Sequence, residues 1–443
     1  MMKRTIKNSL SFLTHQIHII ITALVSFFNL PALAQDSIYT NYLKQNGEKI
    51  VIAGNNRFAL FNQAFYKNQV FFLSESHGYD KPHEVDFELF RHLHQKTGVR
   101  YYLAEMDVSQ AYYLNQYLGT GNETFLKDIY QYWYNQKAQW GCKSGFEKWK
   151  KMFAYNKTLP AEKKIIVLGL DEAQDLNMNI KLVNELMGKT GYKRGKELYL
   201  DSLAVYANMN LEKSAADKMF RMYSRSLDSL IASNTRMYEK LLGNQFVTIR
   251  YIIHNIASKK GREKKIFENF NHYYSHLKLS TQKLYGFWGR FHAMQDSVNH
   301  SMPFAGMLKN SNLPLKDKIV SIPVFCVESS SMIPTAFLPP MAQQEGTIYT
   351  KAGMVNDDSF VYQVTGITAF KSLIEKNSMY IFKLDGTNSP YLKGLNLMES
   401  TSKMDKTFEW TGNKNAATTD YFKYAIVVRN AGWAIPYGDN KAK

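Results

Sequence analysis

The stretch "FFLSESHGYDKPHEVDFELF", residues 71–90, decides how this chain is read. Phe71-Phe72-Leu73 closes a short apolar run that begins at Gln69, with the length and composition of a strand buried on both faces. Ser74-Glu75-Ser76-His77-Gly78 follows, and then a polar stretch leads into a helical pattern. A carboxylate and an imidazole two residues apart do nothing for a packed core. At the end of a buried strand they suit a reaction centre.

Further strand-like runs follow it. They are Arg100–Glu105, Lys164–Leu170, Lys283–Trp288, Ile319–Val327, Met379–Leu384 and Tyr424–Arg429. Helical patterns over His83–Gln95, Ser109–Leu118, Gly145–Tyr155, Leu176–Met187, Gly195–Met209, Ala215–Leu242 and Arg262–Leu277 separate them. Strands alternating with helices predict an α/β fold with a mostly parallel central sheet flanked by helices. Residues 172–280 are almost wholly helical and read as an insertion or cap between two strands. The Ser-, Pro- and Gly-bearing stretch 329–347 reads as a long loop at the rim of the site.

Open α/β sheets bind ligands beyond the carboxyl ends of their strands. Four successive runs here end in ionisable residues: Glu75 and His77, Glu105 and Asp107, Asp171 and Glu172, Arg290 and His292. A neutral histidine beside a carboxylate takes a proton from water at neutral pH. An arginine or a second histidine steadies an oxyanion. Two histidines with several acids would equally hold a divalent metal. Each residue also has a structural reading. Glu105 and Asp171 would cap helices, His77 would serve a turn before Gly78, and Arg290 would pair with Asp107 or Asp171. Four ends adjoining in one sheet favour a common pocket. The sequence has no H-E-x-x-H, G-x-S-x-G, P-loop or G-x-G-x-x-G, which disfavours classical zinc-protease, serine-hydrolase and nucleotide-binding readings.

Residues 1–34 have the pattern of a signal peptide: Lys3, Arg4 and Lys7, an apolar run over 17–30, and Ala32-x-Ala34 before Gln35. The run is short of the ~20 apolar residues a membrane span needs. Its removal leaves one α/β domain over 35–443. Taking its three bases from the formal net charge of +17 leaves +14. That charge is scattered and accompanied by no nucleic-acid motif, so nucleic acid is not an expected partner. A small-molecule substrate, a periplasmic or secreted location and no stable membrane anchor after cleavage are expected. Cys142 and Cys326 would form a disulfide or remain buried thiols.

The ordered set of phrases resembles the erythromycin esterase family. "FFLSESHG" is similar to that family's strand ending in Gly-Glu…His-Gly, and "YYLAEMD" to its second strand ending in Glu. "LNQYLGTGNETFL", "KKIIVLGLD", "GREKKIFENF", "LYGFWGRFHAM" and "TTDYFKYAIVVRNAGWAIP" follow in the family's order, so the resemblance runs from about 66 to 436. It implies an α/β domain with helical additions and an ester-hydrolysing site. The water-activating histidine falls to His77, other site positions to Glu75, Glu105 and His292, and the arginine helix to Arg262. Ser74 replaces the family's Gly, and its His-Asn-x-His reads Gly289-Arg290-Phe291-His292 here, so the first His is missing and Arg290 is new. One residue separates Glu75 from His77 where the family has two, a spacing similar to ChaN-like haem-binding proteins and TIKI-type metalloproteases.

The expectation is an exported hydrolase of an ester or related acyl bond. His77 is the general base, Glu75 and Glu105 orient it or the water, His292 and Arg290 stabilise the oxyanion, and Asp171 supports them from behind. This reading needs no cofactor. Two others stay open: a cleft binding haem or another ligand without turnover, with rings from the "YYL" segments at 101 and 112, and a metal-dependent hydrolase or protease with the metal on His77, Glu75, Glu105 and His292.

Overall fold

A computed structural model describes residues 37–52, 58–343, 345–403 and 406–438. The segment read as a signal peptide lies outside them. The strands are β1 (Gly47–Lys49), β2 (Val70–Glu75), β3 (Tyr101–Ala104), β4 (Ile166–Gly169), β5 (Leu284–Gly289), β6 (Ile319–Val327), β7 (Ser331–Pro334), β8 (Tyr349–Ala352), β9 (Tyr362–Val364), β10 (Met379–Lys383), β11 (Ser400–Ser402) and β12 (Tyr424–Arg429). Eight form one sheet in the order β1-β10-β12-β6-β2-β5-β3-β4. From β12 to β4 every neighbour is parallel. β10 and β1 extend the β12 edge antiparallel. The fold is α/β with a mostly parallel sheet, as the alternation predicts.

The centre of the sheet explains the unbroken apolar runs. Helices cover both faces, so every residue of β2 and β6 is buried, and no polar alternation survives. A helix over 37–45 (α1) precedes β1. Then come α2 (Gln63–Tyr66), α3 (Lys81–Thr97), α4 (Val108–Thr120), α5 (Glu123–Asn135) and α6 (Lys143–Lys157). Six helices fill the connection between β4 and β5: α7 (Leu176–Gly188), α8 (Leu198–Tyr206), α9 (Ser214–Ser233), α10 (Thr235–Leu242), α11 (Phe246–Ala257) and α12 (Arg262–His276). The single helix expected over Ala215–Leu242 is two, broken at Asn234 (φ −127°, ψ 37°). Asparagine competes with helical hydrogen bonding through its own side chain.

These helices are continuous with the main core. Leu182, Phe220 and Ile249 belong to the same buried apolar cluster as Leu114, Tyr117 and Val167. Helix α5 and the short strands β7, β8, β9 and β11 are not among the elements expected from the sequence. β7 with β8 and β9 with β11 form two small antiparallel ribbons. Among the described residues no helix is long and apolar enough to cross a membrane.

Candidate active site

β2, β5, β3 and β4 are consecutive in the sheet, so the four ionisable ends adjoin. The register sets them level: Glu75 opposes Gly289, and Ala104 opposes both Phe287 and Gly169. Glu75 is the last residue of β2 and is buried. Its Oε1 lies 2.7 Å from His77 Nδ1. Gly78, at φ +99°, then turns the chain away, and a side chain there would meet the Met332 carbonyl at 2.6 Å. The Gly78 carbonyl accepts the N–H groups of Met332 and Ala434, both at 2.8 Å, which fixes the turn. The His77 ring is about one-quarter exposed (26%). Its Nε2 is 3.2 Å from where a side chain on residue 289 would begin, so Gly289 makes room for it. Burial opposes protonation of His77, but the Glu75 carboxylate outweighs it and holds the imidazole above its ordinary range.

Glu105, the residue after β3, is the hub of a second cluster. Its Oε2 accepts the Gly289 N–H at 2.6 Å and its Oε1 accepts from Arg262 Nη2 at 2.7 Å. His292 Nε2 stands 3.3 Å from the same Oε1, while His292 Nδ1 lies 2.7 Å from Glu263 Oε1, too oblique for a good hydrogen bond. Burial alone would raise Glu105, yet His292, His77 and Arg262 hold it well below the carboxylate range. Burial would depress His292, but Glu105 and Glu263 raise it to about 10. Asp171 is fully buried and receives Arg262 through Nε at 2.9 Å and Nη2 at 2.6 Å. Asn269, two turns along α12, donates to the Leu170 carbonyl at 2.8 Å and ties that helix to the end of β4.

Two cavities meet at His77. An inner chamber of about 60 Å³ is walled by Glu75, Glu105, Arg262, Lys148 and His83, with the rings of Trp133, Trp140, Trp149 and Trp288. Lys148 is buried, bonded to Asp86 at 2.7 Å, and its charge lies over the Trp149 and Phe287 rings. An outer cleft of about 300 Å³ opens on the other side, bounded by Ser76, Tyr79, Ile333, Phe337, Tyr362 and Trp410. The expected rim loop 329–347 supplies Ser331, Ile333, Phe337 and Leu338 to this cleft.

His77, Glu75, Glu105, His292, Arg262 and Asp171 are therefore brought together. Arg290 is not. Its guanidinium makes a two-pronged pair with Asp357 (2.9 Å each) and donates to the Val324 carbonyl at 3.1 Å, beneath the Phe325 ring. It is 3% exposed, and its partner is Asp357 rather than Asp107 or Asp171. Strand β5 has ended by residue 290 and the backbone turns into a 3-10 helix over Arg290–Ala293, which separates Arg290 from His292. The expected oxyanion role of Arg290 is corrected accordingly. The role given to His292 fares no better, because carboxylates face both its nitrogens. The cap at the end of β3 is Asp107, not Glu105, with its carboxylate on the N–H groups of Ser109 and Gln110. Asp171 serves Arg262 rather than a helix cap.

Cys142 and Cys326 are both free and buried. Tyr102 has its hydroxyl on Asp86 at 2.6 Å, and Tyr113 has its own on Glu185 at 2.9 Å, so these "YYL" hydroxyls are committed to structural bonds. The proposed metal set does not fit a metal. His77 Nδ1 is spent on Glu75, Glu105 is shared among Arg262, Gly289 and His292, and a guanidinium stands among them. No group of three or more His, Cys, Asp or Glu among the described residues is arranged to hold an ion. Sequence reasoning missed Trp133, Trp140, His83 and Lys148. They lie on or beside helices α3, α5 and α6, away from the strand ends, where nothing in the sequence marks the side chains that face the site.

No protein-family model and no curated protein matches the sequence. Solved structures do match in shape. A Bacillus cereus protein superposes with a TM-score of 0.64 at 11% identity, covering 90% of this chain and 99% of its own. A mutant of erythromycin esterase EreC in its open conformation gives 0.61 at 12% identity, covering 89% and 99%. A protein described as a succinoglycan biosynthesis protein gives 0.62 at 13% identity, covering 90% and 98%. The chain shares the fold of these three proteins.

Proposed function

We propose that this protein is a hydrolase of an ester or related acyl bond in a small molecule, with His77 as general base. The observation that carries the reading is the His77–Glu75 pair at the junction of two cavities: Nδ1 is fixed at 2.7 Å on a buried carboxylate while the ring stays partly exposed. Glu75 sets the tautomer that leaves Nε2 as the basic atom, and it stabilises the imidazolium. His77 Nε2 takes a proton from water as the water oxygen bonds to the acyl carbon, and the carbonyl π pair moves onto its oxygen. When that pair returns, the bond to the alcohol oxygen breaks and the imidazolium proton goes to the departing alkoxide. Positioned proton transfer of this kind contributes about 10²- to 10⁴-fold. Sharing the fold of an erythromycin esterase supports the reaction class. The leader pattern in residues 1–34 supports export to the periplasm or beyond.

The test is hydrolysis of a panel of p-nitrophenyl esters by purified protein beside His77→Ala. Turnover that falls at least 100-fold in a folded mutant is the expected result. Equal turnover by the mutant would overturn the assignment of the base.

A further inference from the structure

Hydrolysis needs donors for the oxyanion, and the residues nominated by the sequence are spent elsewhere. The inner chamber supplies others. Four of its lining residues carry a polar atom shut off from solvent with no hydrogen-bond partner among the described residues: Trp133 Nε1, Trp140 Nε1, His83 Nδ1 and Glu75 Oε2. Buried polar atoms are rarely left so, because an unmatched one has given up its hydration for nothing in return. Here the four residues that carry them line one chamber of about 60 Å³, room for about two water-sized groups. An indole N–H can only donate. Trp288 also lines the chamber, but its N–H is given to the Leu103 carbonyl at 2.9 Å. Trp133 is 95% buried at the end of α5, its ring packed edge-on against Tyr130 at 5.0 Å. The Trp140 ring centre lies 5.1 Å from that of His77, beside the base.

We propose that the chamber is an oxyanion-binding subsite. The indole N–H groups of Trp133 and Trp140 donate to the charged oxygen of the tetrahedral intermediate, and Glu75 Oε2 accepts from its new hydroxyl. Two donors and one acceptor match what water attack creates on an acyl carbon: one oxyanion and one O–H. His83 is neutral, because burial and the Lys148 charge both disfavour its imidazolium, so its free nitrogen completes the polar wall without adding charge. The chamber's size limits the acyl group to a short one and leaves the larger alcohol portion to the outer cleft. On that cleft wall the carboxylate of Asp357 is neutralised by Arg290, which suits an uncharged alcohol. The chemistry rests on the hydrolase reading; the affinity of the chamber for a tetrahedral oxyanion does not.

Two measurements test it. First, the six indole N–H resonances of 15N-tryptophan-labelled protein are followed while phenyl methylphosphonate, a tetrahedral monoanion, is added. Trp133→Phe and Trp140→Phe assign the two signals. Both are expected to move downfield and saturate together. Unmoved signals, or movement only of others, overturn the proposal whether or not any ester is hydrolysed. Second, in protein that turns over p-nitrophenyl acetate, each Trp→Phe variant should lose kcat on the order of 10²-fold. KM and the pH midpoint should hold, and acetate should be preferred to octanoate. A kcat within twofold of wild type in both variants overturns the catalytic role. Shifted indole signals in a protein without turnover would leave the subsite standing and overturn the hydrolase reading instead.

Discussion

As the proposed base, His77 takes a proton only while its imidazole is neutral, and Glu75 sets when that is. Because Glu75 holds the folded-state pKa of His77 above its ordinary range, the imidazole is protonated and idle at low pH. Activity then rises with pH as the proton leaves. The acid limb of kcat/KM should therefore have its midpoint above the ~6.5 of a free histidine. Glu75→Gln removes the charge that holds the proton, so the midpoint should move down, while kcat falls because the imidazolium is no longer stabilised. A pH–rate profile of the two proteins checks both directions. A midpoint that stays put in the variant would show that Glu75 does not govern the base. Glu105 and Glu263 raise His292 to about 10, so its charge is expected to persist across this range and to keep Glu105 ionised.

At the scale of elements, the site depends on how strand ends are finished. β5 ends in Gly289, whose N–H holds Glu105 and whose missing side chain makes room for His77. Gly289→Ala places a methyl 3.2 Å from His77 Nε2 and 3.5 Å from Glu105 Oε2. Its φ of −53° suits any residue. The variant should fold with nearly unchanged urea midpoint and lose kcat at least tenfold, because the methyl crowds the base. β3 ends in the opposite way. The Asp107 carboxylate accepts Ser109 N at 2.9 Å and Gln110 N at 3.0 Å, then Gln174 N at 2.9 Å, Asp175 N at 3.0 Å and Asn179 Nδ2 at 2.8 Å. It caps α4 and pins the loop after β4 to the start of α7 in one buried group. Asp107→Ala strands those donors and should cost about 3 kcal/mol or more in urea unfolding. A loss below about 1 kcal/mol would mean that the loop finds other acceptors.

At the scale of the whole molecule, the candidate site draws on segments far apart in the chain. The helices between β4 and β5 bring Arg262 to Glu105 and Asp171, and the C-terminal ribbons bring Asp357, Tyr362 and Trp410 to the cleft. Arg290 ties the end of β5 to the segment that carries Asp357: its guanidinium and Asp357 are 3% and 2% exposed, and Asp357 also accepts the Cys326 N–H at 2.7 Å. Breaking a buried pair strands the remaining charge. Arg290→Met should destabilise the protein by about 3–5 kcal/mol while the pH midpoint of any surviving activity stays that of wild type. A shifted midpoint would instead place Arg290 in electrical contact with His77.

The sequence by itself determined the α/β class and the principal strands, because two-sided burial writes itself as unbroken apolar runs. It also marked Glu75, His77, Glu105 and Asp171, because residues just past a parallel strand are placed by the strand. Those positions follow from local rules that need no knowledge of neighbours. Only the tertiary structure decided which strand ends adjoin, since sheet order is set by packing between segments far apart in sequence. It alone turned Arg290 away from His292, two residues on, because the backbone leaves the strand there and the buried Asp357 lies on the other side. It alone brought Trp133 and Trp140 to the chamber: an aromatic side chain on a helix reads the same whether it faces the core or a cavity.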